Sequence, residues 1–331
     1  MQSFNWGIIG PGNIANTFAK AIASSKKGKI LAVASRSKER ATQFANTYHI
    51  EKIYSDYEQM LTDPDIDIIY IATPHNFHYQ QAKLCLEAGK HVLVEKPCTV
   101  NAEQMKKLVA IAQRNNLLLQ EALWSRFMPC LSQLRQLLKE SIIGDIQYIQ
   151  SDIGFAFQNK EKSRLLKAEL AGGSLLDLGI YSITVSQFFL QEHPDKILAM
   201  GQLTDQNVDS HVLANMQYPS GRYAQFTCSM FSQTSNTMKI VGTQGYINLA
   251  ACFWNTDTAD IYCDDKLIKR LDIPHPVNGF EYQIEESMQC IEKNMQCSDV
   301  MSHSDTIGVL DVMDNIREQI GVRFPNSIEA S

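Results

Sequence analysis

No unbroken apolar run approaches the ~20 residues needed to cross a bilayer, and no two cysteines stand at Cys-x-x-Cys spacing. Basic charge is not in excess either: 30 Lys and Arg stand against 36 Asp and Glu, a formal net charge of −6. That balance leaves no electrostatic footprint for nucleic acid or an anionic membrane surface. The opening Met1-Gln2-Ser3-Phe4-Asn5-Trp6 lacks the basic region and long apolar stretch of a signal peptide. Cys85, Cys98, Cys130, Cys228, Cys252, Cys263, Cys290 and Cys297 are scattered. Without a secretion signal they are expected to be reduced thiols rather than a disulfide framework or a zinc site, and the location is expected to be cytoplasmic.

What is present is ordinary globular material, 44% hydrophobic and 20% charged. At 331 residues the chain exceeds what one hydrophobic core serves, so two domains are expected, 1–122 and 123–331. In the first, short apolar runs (6–9, 30–34, 66–72, 91–94, 117–120) alternate with helical patterns (14–24, 37–48, 78–88, 101–115). Apolar strands separated by helices require a parallel sheet covered on both faces, hence a doubly wound, Rossmann-type α/β domain. After Trp124 the period changes to two, over 145–157, 208–218, 222–231, 238–242, 246–250 and 259–263. Helical patterns over 175–190, 282–293 and 304–320 complete an α+β domain on a large, open, mostly antiparallel sheet. No internal repeat or low-complexity tract interrupts either part.

Gly10-Pro11-Gly12-Asn13-Ile14-Ala15 joins the first strand to the first helix. There Gly10 permits the tight turn, Gly12 admits a pyrophosphate against the backbone, and Ala15 lets helix and strand pack closely, so a dinucleotide is the expected ligand. Its phosphates would rest on the N–H groups of Asn13 and Ile14 at the helix N-terminus. An NAD-binding unit usually ends its second strand with an acidic residue that reads the ribose 2′-hydroxyl. Here Ser35-Arg36-Ser37-Lys38 occupies that place, followed by Arg40. A guanidinium fork and hydroxyls suit a 2′-phosphate, so NADP is expected ahead of NAD.

Three further segments narrow the identification: Ala72-Thr73-Pro74-His75-Asn76-Phe77-His78; Ala88-Gly89-Lys90-His91-Val92-Leu93-Val94-Glu95-Lys96-Pro97; and Gly172-Gly173-Ser174-Leu175-Leu176-Asp177-Leu178-Gly179-Ile180-Tyr181. With the glycine loop, they make the chain resemble the glucose–fructose oxidoreductase/inositol dehydrogenase/rhizopine catabolism (Gfo/Idh/MocA) family along essentially its whole length. Within that family it looks most similar to the branch of dimeric dihydrodiol and NADP-dependent D-xylose dehydrogenases, on Glu121-Ala122-Leu123-Trp124-Ser125-Arg126 and on Tyr181, where many members have histidine. The resemblance implies a substrate held between the two domains beside the nicotinamide, and no catalytic metal. It places cofactor contacts on Thr73, Pro74, His75, Asn76, His78, Glu95 and Lys96, with Trp124 and Arg126 near cofactor or substrate.

Alcohol oxidation needs a base for the hydroxyl proton. A free phenol with a pKa near 10 is a poor one at neutral pH, and a neighbouring ammonium lowers that value. The resemblance therefore casts Tyr181 as general acid/base, Lys96 as its tuning cation and Asp177, one helical turn earlier, as a group orienting substrate hydroxyls. Taken alone, Tyr181 also fits a core tyrosine, Lys96 a solvated loop lysine, Asp177 a helix cap and Trp124 a seal. His75 and His78 have the spacing of two zinc ligands but lack an evident third. The expected activity is NADP-dependent hydride transfer with a sugar, polyol or vicinal diol. A dicarbonyl-sugar reductase and a non-catalytic NADP-binding regulator are the alternatives. On 222–231, one side carries Ala224, Phe226, Cys228 and Met230 and the other Tyr223, Gln225, Thr227 and Ser229. Neither is charged, so a homodimer through this sheet is expected.

Overall fold

The computed structural model describes residues 3–157 and 163–330. Its strands in chain order are β1 (Phe4–Ile9), β2 (Gly28–Ala34), β3 (Lys52–Tyr54), β4 (Ile68–Ile71), β5 (His91–Glu95), β6 (Leu119–Ala122), β7 (Ile146–Gly154), β8 (Lys196–Leu203), β9 (Asp209–Gln217), β10 (Tyr223–Ser229), β11 (Met238–Gly242), β12 (Gly245–Leu249), β13 (Thr258–Cys263) and β14 (Lys266–Asp272). The helices are α1 (Asn13–Ile22), α2 (Lys38–Tyr48), α3 (Tyr57–Leu61), α4 (His78–Glu87), α5 (Ala102–Asn115), α6 (Pro129–Lys139), α7 (Ile180–Leu190), α8 (Phe280–Glu292), α9 (His303–Ile320) and α10 (Asn326–Glu329).

The chain divides into two compact units. The first runs to Trp124 and takes in Pro276–Ile307; the second comprises Ser125–His275 and Gly308–Ala330. Residues 276–307, which fall in the second of the two domains expected from the sequence, pack with the first unit. The reason lies on α8, where Phe280, Ile284 and Met288 recur at helical spacing and join the core formed by Phe4, Trp6, Phe18 and Ile22.

In the first unit six parallel strands take the order β3-β2-β1-β4-β5-β6, and every β4 residue is buried. Strand order reverses between β1 and β4, which opens a crevice at their carboxyl ends, where ligands bind in such sheets. Phe18 stacks on Tyr70 with centroids 3.9 Å apart and seats α1 against β4. The Asn101 side chain accepts the Gln104 N–H at 2.9 Å and caps α5.

The second unit is built on eight strands in the order β14-β13-β12-β11-β7-β10-β9-β8, antiparallel except for the β7–β10 pair. Every residue of α7 is buried, and the helix packs on β7 and β10. The stretch Ala168–Leu190 is long and apolar enough to cross a membrane, yet 94% of its most apolar window is buried in the fold, which makes it core. On the opposite sheet face Leu198, Met200, Leu213, Tyr223 and Tyr148 are 40–73% exposed. Met200 pairs with Leu213 and Tyr223 with Tyr148, so these side chains are neighbours.

Candidate functional site

In the first unit the crevice is bordered by the loops after β1 and β4. Gly10 has φ +90°, and a Cβ there would stand 2.8 Å from Thr73 Cγ2 and 3.0 Å from the Ala72 carbonyl oxygen. Glycine is required both for conformation and for this close approach. A Cβ on Gly12 would meet nothing within 4 Å. Gly12 leads into α1, whose start has no side-chain cap and no acidic residue, and Asn13 and Ile14 are exposed there. Open space at an uncapped helix N-terminus fits a pyrophosphate.

Beyond β2, Ser35 is buried and its Oγ accepts the Ser37 N–H at 3.2 Å. Arg36, Lys38 and Arg40 are exposed cations, and the Arg36 guanidinium lies 5.0 Å from the centre of the Phe77 ring. Glu39 is engaged locally, accepting the Ser37 hydroxyl at 2.8 Å. Beyond β4, Thr73 donates its hydroxyl to Gln81 at 2.6 Å. Asn76 has a buried Oδ1 without a hydrogen-bond partner among the described residues, an acceptor suited to a ligand donor. The fit to a dinucleotide therefore rests on an open glycine, an uncapped helix, exposed cations and an orphaned amide oxygen.

His78 and Glu95 are both buried. His78 is fully buried, and its two ring nitrogens lie 2.8 Å from the Thr73 and Pro97 carbonyl oxygens, tying the loop after β4 to the turn after β5. Its ring is 5.8 Å from that of the buried His75. Among the described residues, no three of His, Cys, Asp and Glu converge as metal ligands. Glu95 accepts the Tyr70 hydroxyl at 2.5 Å and the Lys96 N–H at 3.3 Å. A cis peptide bond joins Lys96 to Pro97. Next along, the Cys98 N–H donates at 2.8 Å to Glu121 on β6, whose other oxygen accepts the Thr306 hydroxyl. Lys96 is thus carried on a turn braced from three strands. Trp124 packs on Phe280 with ring centres 4.7 Å apart.

In the second unit Asp177 and Tyr181 follow the double glycine. The helical pattern expected from Leu175 opens as a π-turn, Leu175–Gly179, before α7 begins. Such wide turns recur at functional sites. They also place Asp177 and Tyr181 on turns of different pitch, which the regular helix expected from the sequence did not anticipate. Asp177 pairs with the Arg164 guanidinium at 2.9 Å. Tyr181 is 8% exposed and stacks on Trp254 at 5.9 Å and 30°. Phe155 meets the same indole edge-on at 5.8 Å, and the Ser125 hydroxyl fixes it by donating to the Trp254 carbonyl at 2.5 Å. Arg126 is buried, its guanidinium 4.8 Å from the Phe188 ring centre. Sequence reasoning missed Trp254, Phe155 and Arg164. Trp254 is one of only three tryptophans, the one signal that could have singled it out.

The comparisons with known proteins agree with this construction. Residues 4–123 match the model of an oxidoreductase family with an NAD-binding Rossmann fold, and residues 131–248 that of the GFO/IDH/MocA C-terminal domain. Trans-1,2-dihydrobenzene-1,2-diol dehydrogenase of Xenopus tropicalis is 34% identical, over 97% of this chain and 99% of that protein. A 3-ketoreductase from Actinomadura kijaniata, crystallised with NADP and TDP-benzene, superposes with a TM-score of 0.88 at 24% identity, covering 96% of this chain and 98% of that one. Levoglucosan dehydrogenase, crystallised with NADH and levoglucosan, gives 0.87 at 20% identity, covering 97% and 98%. The chain belongs to the GFO/IDH/MocA family and is an oxidoreductase with a nicotinamide-binding Rossmann unit.

Proposed function

We propose that the protein is an NADP-dependent dehydrogenase of a ring-shaped vicinal diol or sugar, with Tyr181 as its acid/base. The observation that carries this reading is the stacking of Tyr181 on Trp254, with Phe155 against the same indole and Asp177 on the preceding turn. A phenol among aromatic faces suits a hydroxylated carbon ring, whose apolar face lies on aromatics while its hydroxyls meet polar groups. The dihydrodiol dehydrogenase relatives support the same substrate class.

Bound nicotinamide supplies the hydride acceptor in oxidation and the donor in the reverse direction. Tyr181 takes the proton of the reacting hydroxyl in oxidation and returns it in reduction. The family resemblance gives Lys96 the part of the cation that favours a phenolate. Asp177, held as an ion pair by Arg164, accepts a hydrogen bond from a neighbouring hydroxyl and sets the ring's orientation. Trp254 and Phe155 exclude water from its apolar face. Arg36, already stacked over Phe77, reads the 2′-phosphate, with Arg40 and Ser35 beside it.

The exposed face of β7–β10 supports a homodimer. Leu198, Met200, Leu213, Tyr223 and Tyr148 form an exposed apolar surface on the sheet face opposite α7. All eight cysteines are free and five are buried, which supports a reducing, cytoplasmic compartment.

Incubation with NADP⁺ and a panel of cyclic trans-diols, aldopyranoses and open-chain polyols, followed at the reduced-nicotinamide absorbance, tests the assignment. Turnover of ring substrates is expected. Turnover of dicarbonyl sugars alone, with NADPH, would make it a reductase. Tight NADP binding with no turnover in either direction would make it a regulator.

A further inference from the structure

Asp209 opens β9 and is 1% exposed. Its Oδ2 accepts the Leu175 N–H at 2.6 Å and the Ser174 hydroxyl at 2.7 Å. Its Oδ1 lies where a Cβ on Gly173 would stand only 2.2 Å away, and Gly173 has φ +115°. No side chain from within the π-turn or α7 caps either start. The N–H groups of a helix start need acceptors, and a carboxylate reaching in from another element is the strongest available. Among the described residues no cation pairs with Asp209, and its carboxylate is held by hydrogen bonds from Ser174, Leu175 and its own backbone. Burial raises its pKa, against the pull of those hydrogen bonds. An ionisable group without an ion-pair partner is a costly way to fill a core, and its cost is matched by a geometrical task. The far end of the turn is wedged as well: a Cβ on Gly179 would meet Cys228 Sγ and the Phe226 ring at 3.2 Å.

We propose that Asp209 is a positioning residue: by gripping Ser174 and Leu175 from β9 it fixes the π-turn that delivers Asp177 and Tyr181 to the reaction. This rests on the reading of Tyr181 as the acid/base. A turn gripped at one end by Asp209 and wedged at the other against β10 has one register, and the phenol six residues beyond Leu175 inherits it. Misplacement of a reacting group by about 1 Å costs up to ~10²-fold in rate, so small slippage of this turn is read directly in kcat.

The test is a double-mutant cycle of Asp209→Asn with Tyr181→Phe, reading kcat, KM, the Kd of NADP and thermal unfolding of each variant. Asparagine keeps the shape and one acceptor but not the charge. We expect Asp209→Asn to lose about tenfold or more in kcat with an unchanged Kd for NADP. In the Tyr181→Phe background the same change should cost less than about threefold, because the group it positions is already gone. Ser174→Ala, which removes one of the two gripped donors, should act in the same direction more weakly, and it carries the same cycle if Asp209→Asn does not fold. Wild-type kcat in the folded variants, or losses that multiply fully in the double variant, would overturn the proposal and leave Asp209 a stability residue. Normal turnover in Tyr181→Phe alone strikes the acid/base reading itself, and this proposal with it, in a variant that leaves Asp209 untouched.

Discussion

The ring of Tyr181 stacks on the indole of Trp254, centroids 5.9 Å apart and planes inclined by 30°. The pair joins the second residue of α7 to a short helical turn between β12 and β13, so the phenol proposed to transfer the proton and an apolar wall share one surface. Trp254→Leu should therefore raise KM for ring substrates by about three- to tenfold, the usual worth of an aromatic face. KM for an open-chain polyol should move less. Steady-state kinetics on both substrate types decides it, and equal effects on the two would count against stacking.

On the proposed reading, cofactor choice depends on Arg36. NADP should bind at least ~10-fold more tightly than NAD, a difference of ~1.4 kcal/mol. Arg36→Ala should remove most of that preference and leave NAD affinity nearly unchanged, because the proposed role of the guanidinium is to address only the 2′-phosphate. Fluorescence titration of both cofactors measures it. Tighter NAD binding by the unaltered protein would reverse the assignment.

The sheet face should carry a homodimer burying more than ~1,000 Å². Leu198→Glu combined with Met200→Glu places carboxylates at two of its most exposed apolar positions. Light scattering at micromolar concentration should find a dimer for the unaltered protein and a folded monomer for the double variant. A monomeric unaltered protein, or a dimer indifferent to both charges, would move the interface elsewhere.

Stability should decline on mild acidification. The Leu118 N–H donates to His91 Nδ1 at 2.9 Å, an arrangement that needs an unprotonated nitrogen. Burial holds the pKa of His91, and likewise of His303, below the ordinary value near 6.5. The unfolded chain therefore binds more protons than the folded one once pH falls through that value, so the stabilisation is present above pH ~6.5 and is lost below it. The melting temperature should drop between pH 7 and 5, and His91→Gln should flatten part of that drop. A pH-independent midpoint for the unaltered protein would contradict it.

The parallel sheet and glycine loop were legible because near-continuous apolar strands and the strand–glycine–helix order leave little choice of fold. The β8 strand was not, since Leu198 and Met200 point their apolar side chains to the open face and disguise the alternation. The β14 strand, a polar edge, carries almost no pattern at all. The helical pattern over 282–293 was legible but not which unit the helix would join, a tertiary fact. Among the proposed site residues, Gly10, Gly12 and Arg36 were read from local chemistry, whereas Lys96, Asp177 and Tyr181 needed the family pattern. His78 and Glu95 were expected as cofactor contacts, and their buried hydrogen bonds to the Thr73 and Pro97 carbonyls and from Tyr70 were not legible in the sequence. Nothing local marked Asp209, an isolated acid whose partners lie 34 and 35 residues away.

Turnover by Tyr181→Phe tests the central claim most directly. With the best ring substrate and saturating NADP⁺, the variant should lose ~10² or more in kcat, the range of a missing acid/base. The Kd for NADP should stay within about twofold, since the phenol hydroxyl is no part of the proposed dinucleotide grip. A near-normal kcat would contradict the account, because the proton would then be moved by some other group.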